Sequence, residues 1–463
     1  DRSGTAESAR KQPKSRGKAL FRPLVLRHPA ASSKIPAKPS RILGPAVELF
    51  VATTGDDANT GYTPDEAKAT VAAALAVPVL PGCKIHIAAG EYSVAAEIAI
   101  TKDVVIIGEG TRAEPVVLNG NGTCRVLNVS SDGAIVRGLT VQNGSAAYGA
   151  GAFLQAGTIS GCVFAGNMAT GSYEDQDCTA AGVFMLNDNT ARVTDCLFTN
   201  NTGCAGVNGG VIASPSNDDT AVVTGCRFID NRMSGQNAGG LAYRVTLKDC
   251  VFEYNTFSIQ NLSGGCACEC IVYRSIFRRN NIGRSGGGVA VNNCTVFDSL
   301  IHGNTLGAKT RGAACGGTLY NCTIVDNVAT ESGCLAGVCG DPGVNSGGTL
   351  YNCILWGNTN TTDKTISNHK NATLNYCVSS PVAQGGTSLD ADPLLKADFR
   401  LRSRSPCVDA GMARNQDKSL DATCFPQAEQ RGTDLAGAPR IMRTQIDIGC
   451  YELSRFPTLI TVR

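Results

Sequence analysis

Short apolar stretches separated by glycine and asparagine run through most of this chain, and their pattern is typical of strands. Val, Ile, Phe, Thr and Tyr dominate the stretches, while Gly and Asn interrupt them every few residues. One unit, Cys-x-Phe-x-x-Asn, is first complete from Cys162 to Asn167. Because alternate residues of a strand point to one face, we expect Cys162 and Phe164 to face an interior. Asn167 should lie where the strand turns out again.

The unit returns at a nearly constant interval, which predicts a solenoid. Six of the nine steps between successive anchors lie within one residue of 24, and the other three are longer. The anchors are Gly138, Cys162, Cys196, Cys226, Cys250, Ser275, Ser299, Cys322, Cys353 and Cys377. Equivalent positions of successive coils would stack about 4.8 Å apart. The longer steps indicate loops inserted into a constant coil, and we expect loops at residues 168–181, 203–218 and 330–346.

A tight bend is predicted immediately before most anchors. The residues at this position are of types that tolerate the left-handed backbone region, where other side chains meet a steric penalty. They are Gly161, Asp195, Gly225, Asp249, Asp298, Asn321 and Asn352.

These repeats resemble those of the secreted right-handed parallel β-helix family. In particular, they resemble those of secreted bacterial members with Gly-Gly and Phe-x-x-Asn repeats like those of polymorphic outer-membrane proteins. The segment 50–61 is similar to the family's N-terminal motif, and segments 405–411 and 447–452 are similar to its closing block. The resemblance covers about residues 48–453. It implies an all-β fold, a single-stranded right-handed parallel β-helix with an N-terminal capping helix.

Start signals place that helix at residues 64–77. Thr63 is suited to the N-cap, Pro64 to the first turn, and Glu66 follows three residues after the cap. The residues from Ala67 to Val77 are mostly alanine and aliphatic.

The chain thus divides into five predicted regions. Residues 1–47 form a basic, proline-rich extended arm, and residues 48–137 hold the N-terminal motif, the capping helix and the first coils. Residues 138–380 form regular coils of about 24 residues with inserted loops. Residues 381–453 form a C-terminal closing block, and residues 454–463 form a strand-like tail.

Charge and cysteine content favour a secreted protein of a cell surface. The formal net charge of +2 hides an arm in which eleven Lys or Arg face only Asp1 and Glu7. The arm lacks an apolar signal-peptide core, which favours a chain that is already processed. Twenty-one cysteines are many for a cytosolic enzyme, and their odd number leaves at least one thiol unpaired within the chain. We find no apolar run long enough for a transmembrane segment.

Cysteine spacing predicts both a buried ladder and a few disulfides. Anchor cysteines 24 residues apart should be stacked neighbours, and we favour buried thiols over bridges for them. Loop and closing-block cysteines are the disulfide candidates, and the predicted pairs are Cys178–Cys204, Cys334–Cys339 and Cys407–Cys450. Alternation would place Cys266, Cys268 and Cys270 on one face of a strand, which is poor geometry for tetrahedral metal binding.

Candidate catalytic and metal-binding groups are sparse. Residues 217–219 (Asn-Asp-Asp) partly match a motif of β-helix hydrolases but fall in an inserted loop. His302-Gly303 lacks the glycine that precedes histidine in another such motif, and the acidic residues 174–177 have no lysine nearby in sequence. We therefore predict no catalytic residue and favour a protein that is not an enzyme. No cofactor is predicted; the acidic loop 56–59 could hold calcium, but a hydrogen-bonded turn is the favoured interpretation.

Three functions remain open, and the terminal extensions decide among them. Apolar residues in both extensions are suited to strand addition with another subunit. They are Leu20, Phe21, Leu24, Val25, Leu26, Leu459, Ile460 and Val462. The favoured hypothesis is a structural cell-surface protein that self-associates, forming a homo-oligomer or polymer. The alternatives are an adhesin or glycan-binding solenoid and a polysaccharide lyase or hydrolase. Nucleic acid is not favoured, because Phe21 is the arm's sole aromatic residue.

Overall fold

The coils predicted from the repeats form a parallel β-helix within the unit Pro45–Arg463. In the computed structural model, the described residues are 47–453 with internal gaps. The gaps are residues 172–178, 187–189, 204–208, 216–220, 237–239, 261–263, 285–287, 309, 341–347, 383–385, 413–420, 424–431 and 442–444. Strands at equivalent positions of successive coils pair in parallel into four sheets that follow the solenoid axis. The predicted all-β solenoid is therefore confirmed.

Two sheets contain the strands that flank each anchor. In the first sheet the strands are Glu48–Val51, Cys83–Ile87, Val104–Gly108, Ile135–Arg137, Thr158–Ser160, Arg192–Thr194, Val222–Thr224, Thr246–Lys248, Ile271–Tyr273, Thr295–Phe297, Thr318–Tyr320, Thr349–Tyr351 and Thr373–Asn375. In the second sheet they are Gly90–Ser93, Val116–Asn119, Leu139–Gln142, Val163–Ala165, Leu197–Thr199, Arg227–Ile229, Val251–Glu253, Ile276–Arg278, Leu300–His302, Thr323–Val325, Ile354–Trp356 and Val378–Ser379.

Two further sheets complete the coil. In the third sheet the strands are Ser145–Ala146, Met168–Ala169, Thr202–Gly203, Arg232–Gln236, Thr256–Gln260, Asn281–Arg284, Thr305–Ala308, Val328–Ala329, Thr359–Asn360 and Thr365–Ile366, the last pair antiparallel. In the fourth they are Ile98–Ile100, Leu127–Val129, Ala152–Leu154, Thr179–Met185, Gly209–Ala213, Ala242–Tyr243, Ala267–Cys268, Gly288–Asn292, Gly312–Cys315, Val338–Cys339 and His369–Lys370.

The predicted interior face is confirmed by ladders of identical side chains. Phe228 is fully buried, and its ring centroid lies 4.7 Å from that of Phe198 and 4.4 Å from that of Phe252. Asn231 Nδ2 donates to Asn255 Oδ1 at 3.1 Å and to the carbonyl of Phe198 at 2.9 Å. The repeated asparagine therefore satisfies buried main-chain groups where the strand ends, as buried polar groups require.

The bends before the anchors are also confirmed. All seven predicted residues have positive φ, for example 53° at Asp195 and 54° at Asn352. Arg274 and Tyr376 occupy the same position in other coils with φ of 42° and 54°. Neither residue type signals a bend by itself, so the fold imposes this conformation on them.

The capping helix over residues 64–77 is wrong as a single element. The structure has a 3-10 helix, Pro64–Glu66, and a separate α-helix, Val71–Ala76. Thr63 caps the first as predicted, and its Oγ1 accepts from the N–H of Glu66 at 3.3 Å. The chain then becomes extended, because the N–H of Lys68 donates to the carbonyl of Phe50 at 2.9 Å. This pairing with the first strand interrupts the helix. No helix in the described residues is long and apolar enough to cross a membrane.

The C-terminal closing block covers the outer face of the second sheet at its last coils, from Leu300 to Val378. The block is built of turns and short bridges such as Leu395 with Leu401 and Gly411 with Ile446. One buried cluster joins the two surfaces, and its members are Leu300, Val325, Ile354, Val378, Leu401, Cys407, Ile448 and Cys450. A cleft lies at the edge of this contact, because the closing block covers only part of the second sheet.

Candidate functional site

One column of outward-facing side chains runs along the second sheet into this cleft. The parallel register aligns Glu253 with Arg278, then His302, Val325 and Trp356 in successive coils. Successive members lie about 4.8 Å apart along the axis. The column therefore changes from charged groups at one end to the chain's only tryptophan at the other.

The cleft itself is a concave space of about 350 Å³ between the second sheet and the closing block. Its lining residues are Val325, Asp326, Trp356, Asp392, Leu395, Lys396, Ala397 and Phe399. The solenoid supplies the first three and the closing block the other five. Apolar walls with a few convergent polar groups are the usual composition of a ligand site.

Asp326 is placed at the cleft by the bend that follows its strand. Its φ is 54°, and its Oδ1 lies against the backbone of Gly357 in the next coil, where a β-carbon would approach within 2.5 Å. Burial raises the pKa of Asp326 above the ordinary range of aspartate. This carboxyl group therefore holds its proton more readily than a solvated one.

Charged groups border the cleft on the side of the lower-numbered coils. Arg278 donates to the nearly buried carboxylate of Glu253 at 2.8 Å, and Arg279 donates to the hydroxyl of Tyr254 at 2.7 Å. His302 packs against Phe399, with ring centroids 4.5 Å apart. Burial, together with the neighbouring arginines, lowers the pKa of His302 to about 4. His302 is therefore a neutral imidazole at pH 7.

A buried ion network holds the closing block on the solenoid and so maintains the cleft wall. The Arg440 side chain is fully buried and lies 2.7 Å from Asp298 Oδ1 and from Glu452 Oε1. It also donates to the carbonyl oxygens of Asn321 and Gly449, at 3.2 and 2.6 Å. Burial raises the pKa of Asp298 and raises that of Glu452 to about 7. The two buried carboxyl groups of Asp298 and Glu452 thus share one cation, and burial disfavours ionisation of both carboxyl groups.

We expect the closing block to be more stable at pH 5 than at pH 8. Because the pKa of Glu452 is about 7 in the folded block, the folded state keeps a proton that the unfolded chain loses near pH 4.3. This stabilisation is complete below about pH 4.3 and is lost as the pH rises through about 7. Urea unfolding followed by Trp356 fluorescence measures it, since Trp356 packs against the cluster under the block. We expect a pH-dependent difference on the order of 2 kcal/mol.

Glu452→Gln provides the control for this pH effect. The amide does not titrate, so the variant should lose that part of the pH dependence and keep the part due to other groups. Identical pH dependence in the variant and the wild type would contradict the role of Glu452.

The predicted site residues fall partly outside the described residues. Four predicted groups lie outside them: the assembly residues of both terminal extensions, residues 174–177, residues 217–219, and the pair Cys178–Cys204. In the acidic loop, Asp57 Oδ1 accepts from the N–H groups of Ala69 and Thr70 at 2.9 and 2.8 Å. This loop is therefore the favoured hydrogen-bonded turn.

No disulfide joins two of the described cysteines in this structure. Cys407 and Cys450 lie in the same buried cluster, whereas Cys339 is in register with Cys315 and not with Cys334. The predicted disulfides Cys334–Cys339 and Cys407–Cys450 therefore stay predictions. The anchor cysteines form the favoured ladder: the N–H of Cys353 points to the Cys377 sulfur at 3.4 Å. Burial raises the pKa of Cys250 to about 12, which keeps that thiol protonated.

One cysteine prediction is wrong. Cys266 and Cys270 belong to the inner core, whereas Cys268 lies in an outer cluster with Phe184 and Tyr243. Glu269 has a φ of 52°, so a bend interrupts the expected alternation.

Sequence reasoning did not find Trp356, Phe399, Asp326 or Asp392. A single tryptophan in a chain of 463 residues was the available signal for Trp356. The other three belong to no catalytic or ligand-binding motif. Asp392 and Phe399 lie in segments similar to the family's closing block, and that block brings them beside the distant Asp326.

Comparison with known proteins finds solved structures of low sequence identity. No curated protein matches the sequence significantly. Among solved structures, pectate lyase Pel9A is 15% identical, with 88% of this chain and 96% of that chain covered and a TM-score of 0.37. XylC in complex with xylose is 11% identical, with 88% and 98% covered and a TM-score of 0.43. The PL6 family alginate lyase AlyGC is 13% identical, with 89% and 59% covered and a TM-score of 0.38.

A family model agrees with the sheets described above. The model for a right handed beta helix region matches residues 116–291, which span the central coils. The parallel pairing continues on both sides of that range, from Glu48 to Ser379. The chain therefore contains a right handed beta helix region, and its solenoid is a right-handed parallel β-helix.

Proposed function

We propose that the cleft between the second sheet and the closing block binds a carbohydrate chain. The observation that carries this proposal is the position of Trp356, half-buried in a cleft that Phe399 also lines. Sugar rings have apolar C–H faces and hydroxyl edges, so they complement an aromatic face beside hydrogen-bonding groups. Asp326, Asp392 and Lys396 supply such groups around the rings.

The surroundings of the cleft support an extended ligand. Arg279 and Tyr254 are exposed along the column of bends that leads to Asp326, and they offer further donors. Binding of a surface glycan is thus the function that the cleft supports best.

Trp356→Ala is expected to weaken binding about 30-fold. Loss of a central aromatic contact typically removes about 2 kcal/mol of binding free energy. Quenching of the single tryptophan by neutral xylo-oligosaccharides and acidic galacturonate oligosaccharides first identifies a ligand. Isothermal titration calorimetry then compares the wild type with Trp356→Ala and with Trp356→Phe, which should keep part of the affinity.

Tyr62, an exposed aromatic residue at the N-terminal end of the solenoid, provides the matched control. Tyr62→Ala should bind as the wild type does. Failure of every oligosaccharide to bind, or equal binding by Trp356→Ala, would refute the proposed site.

Cleavage at the same cleft is the second candidate function. Glycoside hydrolysis requires two carboxyl groups beside the scissile bond, and Asp326 and Asp392 both line the cleft. The raised pKa of Asp326 favours its protonated form, as a general acid requires. If reducing ends are released from a bound oligosaccharide, Asp326→Asn should lower the rate at least about 100-fold and leave affinity nearly unchanged. Unchanged cleavage by this variant would exclude the assignment.

A further inference from the structure

A second concave surface lies at the N-terminal end of the solenoid, far from the cleft. It encloses about 480 Å³ between the start of the helix Val71–Ala76, the strand Gly90–Ser93 and the loop that leads to Ile98. Core residues Tyr92, Val94 and Leu118 contribute to its lining. We call this surface the N-terminal groove.

The groove contains a strand edge that is not paired with any strand of the described residues. The N–H of Gly90 donates to the carbonyl of Pro115, and that of Val94 donates to the carbonyl of Asn119. Residues 90, 92 and 94 therefore direct their peptide groups to the next coil, and Glu91 and Ser93 direct theirs the opposite way. Within the described residues, Gly90–Ser93 is the first strand of the second sheet. Its outer edge can accept an added strand.

The segment 456–462 has the sequence of such a strand. It reads Phe-Pro-Thr-Leu-Ile-Thr-Val and is flanked by Arg455 and Arg463. Glu91 lines the groove and is exposed, whereas Glu97 is already paired with Arg125 at 2.6 Å. Residues 47–125 contain ten Asp or Glu against five Lys or Arg. An apolar strand between two arginines therefore complements the groove in polarity and charge.

The same chain cannot fill its own groove with this segment. Glu452 is bound through Arg440 to Asp298, beside the strand Leu300–His302. Eight steps separate that strand from Gly90–Ser93 in the second sheet, which is about 38 Å. Val462 lies nine residues beyond Leu453, and nine fully extended residues reach at most about 32 Å. The segment can therefore reach the groove of a second copy only.

We propose that residues 456–462 of one copy add as a strand to the Gly90–Ser93 edge of another copy, joining solenoids head to tail. Such an interface is heterologous, because it uses two different surfaces of the same chain. Heterologous contacts that do not close into a ring build open filaments. This assembly is independent of carbohydrate binding, since the cleft is at the other end of the second sheet.

Sedimentation of the full chain tests the proposal. The wild type should form species heavier than the 48.0 kDa monomer, in amounts that rise with concentration. The tail variant Leu459→Asp/Ile460→Asp should remain monomeric. The groove variant Ser93→Pro should also remain monomeric, because proline removes an edge donor that faces away from the neighbouring coil. Ser93→Ala keeps that donor and should assemble normally.

Ala72→Trp is a second groove variant, in case Ser93→Pro fails to fold. Ala72 is exposed and lines the groove, so an indole there should occupy the space that the added strand needs. Assembly of this variant to wild-type extent would count against the groove.

Mixing the two monomeric variants gives the decisive result. The tail variant keeps an intact groove and the groove variant keeps an intact tail, so together they should form one-to-one dimers and nothing larger. A mixture that stays monomeric, a wild type that stays monomeric at high concentration, or assembly lost in Phe21→Asp but kept in the tail variant would each overturn the proposal.

Discussion

Replacing Arg440 with methionine is expected to destabilise the closing block by about 3–5 kcal/mol. The side chain is fully buried, and its removal leaves Asp298 and Glu452 buried without their cation. Because methionine fills a similar volume, the loss reports mainly on charge and hydrogen bonding. Urea unfolding followed by Trp356 fluorescence measures the change.

Two further variants separate the network from a general effect of losing an arginine. Arg404 lies in the same block and is exposed, so Arg404→Met should change stability by less than about 0.5 kcal/mol. Arg440→Met/Glu452→Gln should recover part of the loss, because one uncompensated carboxyl group is removed. Wild-type stability of Arg440→Met would show that the network does not hold the block.

Phe228→Ala is expected to destabilise the central coils by about 3–5 kcal/mol. Phe228 is fully buried and stacked between two other phenylalanines, so alanine leaves a cavity that rigid coils on both sides cannot close. In a solenoid each coil contacts only its neighbours, so the effect should be concentrated there. Amide hydrogen exchange should show faster opening around residues 198–252 than near residues 85–118.

Phe228→Leu should cost less, because most of the buried volume is kept. The exposed Tyr62 again serves as the control, and Tyr62→Ala should leave unfolding unchanged within about 0.5 kcal/mol. Equal stability of Phe228→Ala and wild type would mean that the stacked rings contribute little to the solenoid.

The repeat made the central coils predictable, because each coil meets the same packing requirement. Cys162 and Phe164 share one face, and a glycine, asparagine or aspartate marks most bends. Arg274 shows the limit of this reasoning, since its positive φ follows from its place in the stack and not from its type.

Predictions failed where a distant contact overrides local preference. The segment 64–77 has good helix signals, yet Lys68 pairs with the first strand and the helix is divided. A bend at Glu269 likewise places Cys270 in the core while Cys268 lies in the outer cluster, although alternation would keep them on one face.

The sequence by itself determined the coil length, the interior face, the bends and the class of fold, because these follow from a local pattern repeated at a fixed interval. Only the tertiary structure decided the cleft. Its two walls are separated along the chain, and Asp326 and Trp356 meet Phe399 because the closing block folds back onto the second sheet. That return depends on one buried arginine and its long-range partners, and no local pattern encodes a contact between residues 142 positions apart.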